Sequence, residues 1–351
     1  MKKGEIDMGR IIKNLLLLLS LQAILALTGC HHKELCLHHP HEVILKVEFD
    51  WRNSPDANPQ GMCAFFYPVD GGSPRRFDFK GTKGGEIEIT VGQYNVIFYN
   101  NDTEAILFGS TNKFEKHQAY TRDGGLFEPI YGSAAAPGPK SEGAKDERVV
   151  ITPEMLWGGT SLNVDITDTG ISYTCVPVKE EDNYVTVTKE EHVIVLYPSG
   201  QMCLYSYEIR NVQNIKYATQ MSASLCSMAG GMTFATEKLH TEGVTLPLPA
   251  VLDKETSTVY GEFYTFGHSP DNPAPHRMLL YVWMNGGDKF YFGEGSEKFN
   301  VTSQIHNAPN PRRVHIIIEG LDLPKPIVNG GGYSPSVDDW DEVWQDITMG
   351  T

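Results

Sequence analysis

The chain has 351 residues, 40% of them hydrophobic, and a formal net charge of −15 at pH 7. A chain this acidic is not expected to bind nucleic acid or anionic lipid through a general electrostatic field. It contains 34 glycines and 21 prolines, and long stretches of helical periodicity are missing. This composition favours an all-β protein with many turns.

The amino-terminal segment predicts a secretory signal. Arg10 and Lys13 precede an apolar run that ends at Leu27. At about 13 residues the run is too short to span a bilayer, which needs about 20 apolar positions. It therefore predicts a signal peptide over residues 1–29, with Met8 as an alternative start.

Residues 27–30, Leu-Thr-Gly-Cys, match the bacterial lipobox. Cleavage is expected between Gly29 and Cys30, with a covalent lipid on the Cys30 thiol and no other cofactor. A plain secretory signal followed by a coincidental cysteine is the alternative. Because two or more acyl chains anchor a protein stably, the chain is predicted to be held on the outer membrane.

Removal of the signal leaves about 320 residues and a net charge of about −17. Single cores stop growing near 250–300 residues, so two domains are expected. The five further cysteines are odd in number and widely spaced, which implies neither a disulfide framework nor a zinc knuckle. Most are expected to be small buried side chains.

Residues 30–42 form a polar, histidine-rich tether in front of the first domain. Histidine-rich tracts can bind zinc or copper, whereas the alternative is a flexible spacer that lifts the first domain from the membrane. The histidines concerned are His31, His32, His38, His39 and His41.

Period-two alternation predicts a first β-sandwich over residues 43–182. Residues 124–146, rich in small and turn-forming types, are predicted to be an exposed loop. Residues 153–157 predict a short helical turn capped by Thr152. Strands are expected at residues 43–51, 63–67, 87–91, 94–99, 105–108, 162–166 and 171–178.

A charged linker at residues 179–182 precedes a second sandwich over residues 183–326, and an acidic, glycine-rich tail follows over residues 327–351. His315 lies within an apolar strand, where a hydrogen-bonded structural histidine is expected. Strands are expected at residues 193–197, 202–209, 259–266, 278–284, 289–292 and 314–319.

No nucleophile elbow, zinc-protease helix, phosphate loop, dinucleotide fingerprint or calcium loop occurs in the sequence. Adjacent acidic pairs such as Glu180-Glu181 would point to opposite faces of a strand, so they indicate solvated charge rather than paired glycosidase carboxylates. The sequence therefore predicts a protein that is not an enzyme.

Several motifs occur in a fixed order along the chain. The lipobox is followed by Cys-x-His-Lys-Glu-Leu-Cys at residues 30–36 and by Phe-Asp-Trp at residues 49–51. The Asp-Gly-Gly turn at residues 70–72 and Gly-Gly-Gly-Tyr at residues 330–333 come later. In this order the chain resembles the fimbrillin-like outer-membrane lipoproteins of anaerobic gut and oral bacteria. It is similar, more distantly, to their fimbrial anchor and minor-tip subunits.

The resemblance implies two tandem transthyretin-like β-sandwiches and a role at the cell surface in pilus anchoring or adhesion, with fimbrial subunits as partners. A second hypothesis is a surface lipoprotein that binds glycans by stacking sugars on exposed tryptophans. The candidates for that role are Trp157, Trp283, Trp340 and Trp344.

The tail carries Val337, Trp340, Val343 and Trp344 among acidic residues, behind the glycine hinge at residues 330–332. Two hypotheses follow, since apolar side chains of this size are costly to leave in water. The tail packs back on the second domain, or it exchanges with a partner subunit by strand addition.

Overall fold

The computed structural model describes residues 42–131, 140, 144–167, 171–177, 185–191 and 193–325. These residues form a nearly all-β structure, so the predicted all-β class is confirmed. Within the described ranges, no helix has the length and apolar character needed to cross a bilayer.

The first twelve strands are β1 (Glu42–Phe49), β2 (Gly61–Pro68), β3 (Arg75–Lys80), β4 (Gly85–Thr90), β5 (Gly92–Asn100), β6 (Ile106–Gly109), β7 (Gln118–Thr121), β8 (Arg148–Val149), β9 (Trp157–Ile166), β10 (Ile171–Pro177), β11 (Val185–Glu191) and β12 (Val193–Leu196). The later strands are β13 (Ser199–Gly200), β14 (Cys203–Gln213), β15 (Ala218–Ala229), β16 (Gly231–Thr233), β17 (Lys238–Leu239), β18 (Gly243–Pro249), β19 (Val251–Asp253), β20 (Thr258–Thr265), β21 (Met278–Met284), β22 (Lys289–Phe292) and β23 (Arg313–Asp322). The described helices are α1 (Glu128–Tyr131) and α2 (Thr302–His306), and 3₁₀ turns occur at Trp51–Asn53, Phe114–Lys116, Ile215–Tyr217 and Glu297–Phe299.

Two sheets of the amino-terminal half enclose one apolar core. Their strand orders are β12-β1-β4 and β13-β9-β5-β2-β3. Leu45, Val47 and Phe49 of β1 point into this core, while the alternate residues of β1 face outward. The period-two pattern of the sequence thus places one face of the strand in the core.

A second pair of sheets encloses the largest core of the carboxyl-terminal half. Their strand orders are β19-β20-β14-β23 and β22-β21-β15-β18-β8. Tyr205 and Tyr207 of β14 and Ile316 and Ile318 of β23 are buried in it. Strand β10 pairs with β11 in a separate two-stranded hairpin.

One sheet of each pair contains a parallel contact between its first and last strands in chain order. Strand β12 runs parallel to β1, with Val47 opposite Ile194. Strand β23 runs parallel to β14, with Tyr207 opposite Ile316. The same parallel contact therefore occurs twice along the chain.

A further four-stranded sheet, in the order β17-β16-β7-β6, joins strands from both halves. Strand β16 pairs with β7, so that Met232 lies opposite Ala119. The apolar side chains of this four-stranded sheet share a core with Phe65 of β2 and Tyr99 of β5. This shared core covers the face of the β13-β9-β5-β2-β3 sheet that is turned away from the first core. All described residues accordingly belong to one compact unit.

The predicted division at residues 182/183 stays a prediction, because residues 178–184 lie outside the described residues. Strands β12 and β13 follow the predicted boundary in sequence but pair with β1 and β9. Apart from the short strand β8, the chain contributes strands to the sheets of the second core only from β14 onward.

Two local predictions are wrong. Residues 151–156 form no helical turn, and the Thr152 hydroxyl donates to the carbonyl of Pro247 rather than capping a helix. The loop predicted over residues 124–146 is not wholly exposed, because Leu126 and Phe127 are buried against Tyr281 and neighbouring side chains of β21. The sequence did not indicate this burial, because Leu126 and Phe127 stand among turn-forming residues.

We expect Phe127→Ala to lower the free energy of unfolding by about 3–5 kcal/mol, because it empties a buried aromatic site. Phe127 is 1% exposed and packs edge-on against Tyr281 at 5.0 Å and Trp283 at 5.4 Å. The matched control is Tyr131→Ala in the same segment, since Tyr131 is 49% exposed. Urea unfolding of the two variants measures the difference, and equal losses would contradict this assignment.

Candidate functional site

Many of the predicted site residues lie outside the described residues. The lipidation site, the tether histidines and the tail residues therefore stay predictions. They are Gly29, Cys30, His31, His32, His38, His39, His41, Val337, Trp340, Val343 and Trp344.

Two candidate sugar platforms can be located. Trp283 is 7% exposed and is packed by Phe127 and by Tyr131, so the hypothesis that it stacks on a glycan is wrong. Trp157 is half-buried at the start of β9, where its backbone N–H donates to the side-chain oxygen of Asn100 at 2.7 Å. The two tryptophans belong to different sheets and do not form one platform.

The outer edge of β23 is occupied by side chains. The Gln304 amide donates to the carbonyl of Ile317 at 2.9 Å and accepts from the Ile317 N–H at 2.8 Å. Lys298 Nζ donates to the carbonyl of Gly320 at 3.0 Å. Gln304 thus satisfies the backbone groups that an added strand would need, which is one way that proteins protect sheet edges.

Charged side chains line the edge strands of the first pair of sheets. On β3, Arg76 forms a bidentate ion pair with Asp78, and Arg75 contacts Glu42. On β4, Glu86 and Glu88 point to solvent. Charges at these positions disfavour pairing with a further strand.

Three histidines, two from the β20–β21 connection and one from α2, converge beside the second core. His268 follows β20, His276 precedes β21, and His306 ends α2. Each offers a ring nitrogen, and these three atoms lie within 4.8 Å of one another. His276 is buried, His268 is half-buried and His306 is exposed, so the cluster opens toward solvent. In the sequence the three appear scattered, because only the loop geometry brings them together.

Hydrogen bonding fixes the tautomer of the innermost ring. His276 Nδ1 lies 3.1 Å from the backbone carbonyl of Cys226, which can only accept, so Nδ1 carries the hydrogen. The Nε2 lone pair of neutral His276 is then directed at His268 Nδ1, 3.2 Å away. Burial lowers the pKa of His276, and it lowers the pKa of His268 to about 4 together with the nearby His306 and His276.

His315 lies apart from this cluster, on the outward face of β23. Its Nδ1 is 2.8 Å from the Ser206 hydroxyl. The expected hydrogen-bonded structural histidine is therefore present, although its ring is exposed rather than buried.

His117 is a fully buried polar residue in the core shared by the two halves. The Tyr67 hydroxyl lies 2.8 Å from the Thr111 carbonyl and 2.6 Å from His117 Nδ1. Because a carbonyl only accepts, the hydroxyl hydrogen points to Thr111 and His117 Nδ1–H donates to Tyr67. The Nε2 lone pair then accepts from the Tyr99 hydroxyl at 3.0 Å, so every polar atom of the neutral ring is paired.

The sequence model of a family described as "Domain of unknown function (DUF5119)" matches residues 29–249. This chain belongs to the DUF5119 family. The match covers more than half of the chain and begins at the glycine before the predicted lipidated cysteine.

Over 104 residues this DUF5119 protein is 31% identical to a Bacteroides ovatus protein named "Putative fimbrium anchoring subunit Fim4B". The aligned part is 30% of this chain and 31% of the relative, so the chain spans about a third of the length of the relative it matches. The predicted resemblance to fimbrial anchor subunits is confirmed at this level.

The fold is similar to a crystal structure described as "a putative adhesin from Bacteroides ovatus", with a TM-score of 0.56 and 18% identity. That similarity covers 85% of this chain and 99% of the other. The fimbrial anchor protein Mfa2 from Porphyromonas gingivalis gives a TM-score of 0.42 at 12% identity, over 79% of this chain and 91% of Mfa2.

We expect His117 to make this DUF5119 protein sensitive to acid. Burial, aided by the charge of Arg76, lowers the pKa of His117 to about 4 in the folded protein, against an ordinary value of 6.5. Above pH 6.5 the ring is neutral in both states and contributes no pH dependence. Between pH 6.5 and 4 only the unfolded state gains the proton, so the free energy of unfolding falls by about 3 kcal/mol.

The test compares the unfolding free energy of the wild-type protein and of His117→Gln from pH 7 to pH 4. The glutamine side chain keeps a donor and an acceptor but does not titrate. The difference in unfolding free energy between the wild-type protein and His117→Gln should therefore fall by about 3 kcal/mol from pH 7 to pH 4. Parallel pH profiles would contradict the assigned role of His117.

Proposed function

We propose that this DUF5119 protein is a lipid-anchored, non-catalytic subunit of the cell surface, of the fimbrial anchor or minor-subunit type. The observation that carries the proposal is the 31% identity to a relative named as a fimbrium anchoring subunit. The lipobox predicted at residues 27–30 supplies the means of anchoring.

The anchor and the folded part are joined by a short segment. Eleven residues separate Cys30 from Glu42, where β1 begins. Fully extended, they span roughly 40 Å. In this proposal the protein stays within that distance of the outer membrane, where it can hold the base of a fimbria.

The edges formed by β3, β4 and β23 support an anchor or minor subunit rather than a self-polymerising one. Gln304 and Lys298 occupy the edge of β23, and ion pairs or carboxylates line β3 and β4. A second copy that added a strand at β23 would have to displace Gln304 from both backbone groups of Ile317. Edges protected in this way limit repeated strand addition between identical chains.

The glycan-binding alternative is not favoured by the described tryptophans. Trp283 is buried and Trp157 is only half-exposed. A sugar platform requires an aromatic face that is open to solvent. We therefore propose fimbrial subunits, rather than surface glycans, as the partners of this protein.

We expect Cys30→Ala to abolish lipidation and to release the protein from the membrane fraction, because no acyl chain remains to hold it. Metabolic palmitate labelling and cell fractionation measure both effects, with Cys36→Ala as the matched control in the same tether. If the protein is an anchor, fimbriae should also be shed into the medium. Unchanged fractionation of Cys30→Ala would contradict the predicted lipid anchor. Fimbriae that stay on the cell would contradict the anchoring role.

We expect deletion of residues 330–351 to lower the thermal stability of the monomer, because the tail is proposed to dock on the second sandwich. Each buried tryptophan can contribute about 2–3 kcal/mol. The double variant Trp340→Ala/Trp344→Ala should reproduce most of the loss at full chain length. An equally stable monomer that no longer joins a fimbria would favour strand exchange, and no effect on either property would reject both hypotheses.

A further inference from the structure

Histidines 268, 276 and 306 form a constellation that the proposed function does not use. They come from the β20–β21 connection and from α2, and their ring nitrogens lie within 4.8 Å of one another. We propose that this three-histidine cluster is a metal site that binds one Zn²⁺ ion, with a fourth coordination position open to solvent.

The distances suit tetrahedral zinc. With Zn–N bonds of 2.0–2.1 Å, two ligand nitrogens of a tetrahedral site stand roughly 3.3–3.4 Å apart. His276 Nε2 and His268 Nδ1 are already 3.2 Å apart. An ion bound by both replaces the hydrogen between them, and His268 then carries its hydrogen on Nε2.

The third ligand needs only a side-chain adjustment. The rings of His268 and His306 are stacked, with centroids 4.0 Å apart and planes at 21°. Coordination of one ion requires this stack to open by side-chain rotation. His306 is exposed at the end of a short helix, so its ring can turn without disturbing the core.

An outer hydrogen bond orients the innermost ligand. The backbone carbonyl of Cys226 holds the hydrogen on His276 Nδ1, which leaves Nε2 as the ligand atom. Metal-binding histidines typically donate their other N–H in this way, and the contact fixes both tautomer and ring direction. The backbone N–H of His276 is also held, by the Thr302 hydroxyl at 2.8 Å.

The donor set selects the class of ion. Three imidazoles suit zinc and neighbouring transition metals, whereas Mg²⁺ and Ca²⁺ prefer oxygen ligands. Three protein ligands leave one position of the tetrahedron for water or another small ligand, on the side of the exposed His306. Bound zinc would link the β20–β21 connection to α2, whose Gln304 covers the edge of β23.

The test measures Zn²⁺ binding to the detergent-solubilised full chain by titration calorimetry. All variants carry His31, His32, His38, His39 and His41 changed to Ala, so that the tether cannot compete. The parent should bind one equivalent of Zn²⁺ and no Mg²⁺, and Co²⁺ should give the intense visible bands of a tetrahedral site.

His306→Ala removes an exposed ligand and should weaken Zn²⁺ binding at least about tenfold, the loss that even an outer-shell change can cause. His268→Ala should do the same, while His315→Ala, an exposed histidine of β23, should not. Circular dichroism checks that the variants remain folded. Absence of one-equivalent binding in the parent, octahedral Co²⁺ spectra, or equal affinity in His306→Ala and His315→Ala would overturn the proposal.

Discussion

Burial of β2 and β5 on both faces is the constraint on which the remainder of the structure depends. Phe66 and Phe98 point into the first core, whereas Phe65 and Tyr99 point into the core shared with the sheet β17-β16-β7-β6. A strand buried on both sides requires a nearly continuous apolar sequence, and residues 62–67 provide one. The shared core then holds the two halves in one body, with neutral His117 as a fully paired polar member.

The strands themselves could be predicted because their cause is local. Alternation in β1 and in residues 87–91 reports one buried and one exposed face. Pairing between distant strands has no such local signature. The Thr121 hydroxyl, for example, donates a hydrogen bond to the carbonyl of Gly230, which is 109 residues away in the chain. Strand β12, which pairs in parallel with β1, comes after the segment that the sequence assigns to a linker. The all-β class was therefore predictable, but the strand order was not.

The histidine cluster, like the strand order, could not be predicted from the sequence, because its residues are spread along the chain. Sequence spacing signals a metal site when ligands share one helix or one knuckle, but His268, His276 and His306 come from loops and a helix end. The tether, by contrast, has dense histidines in the sequence. The signal in the sequence that could have pointed to this site is proline. Pro273 and Pro275 restrict the backbone of the loop that carries His268 and His276.

The parallel contact in one sheet of each pair bears on how the protein reaches its native state. Strand β14 cannot gain its β23 neighbour until almost the whole chain has been synthesised. Non-local pairings of this kind slow folding and leave unpaired edges exposed in the meantime. The incomplete chain therefore exposes the edges of β1 and β14 until their carboxyl-terminal neighbours, β12 and β23, arrive.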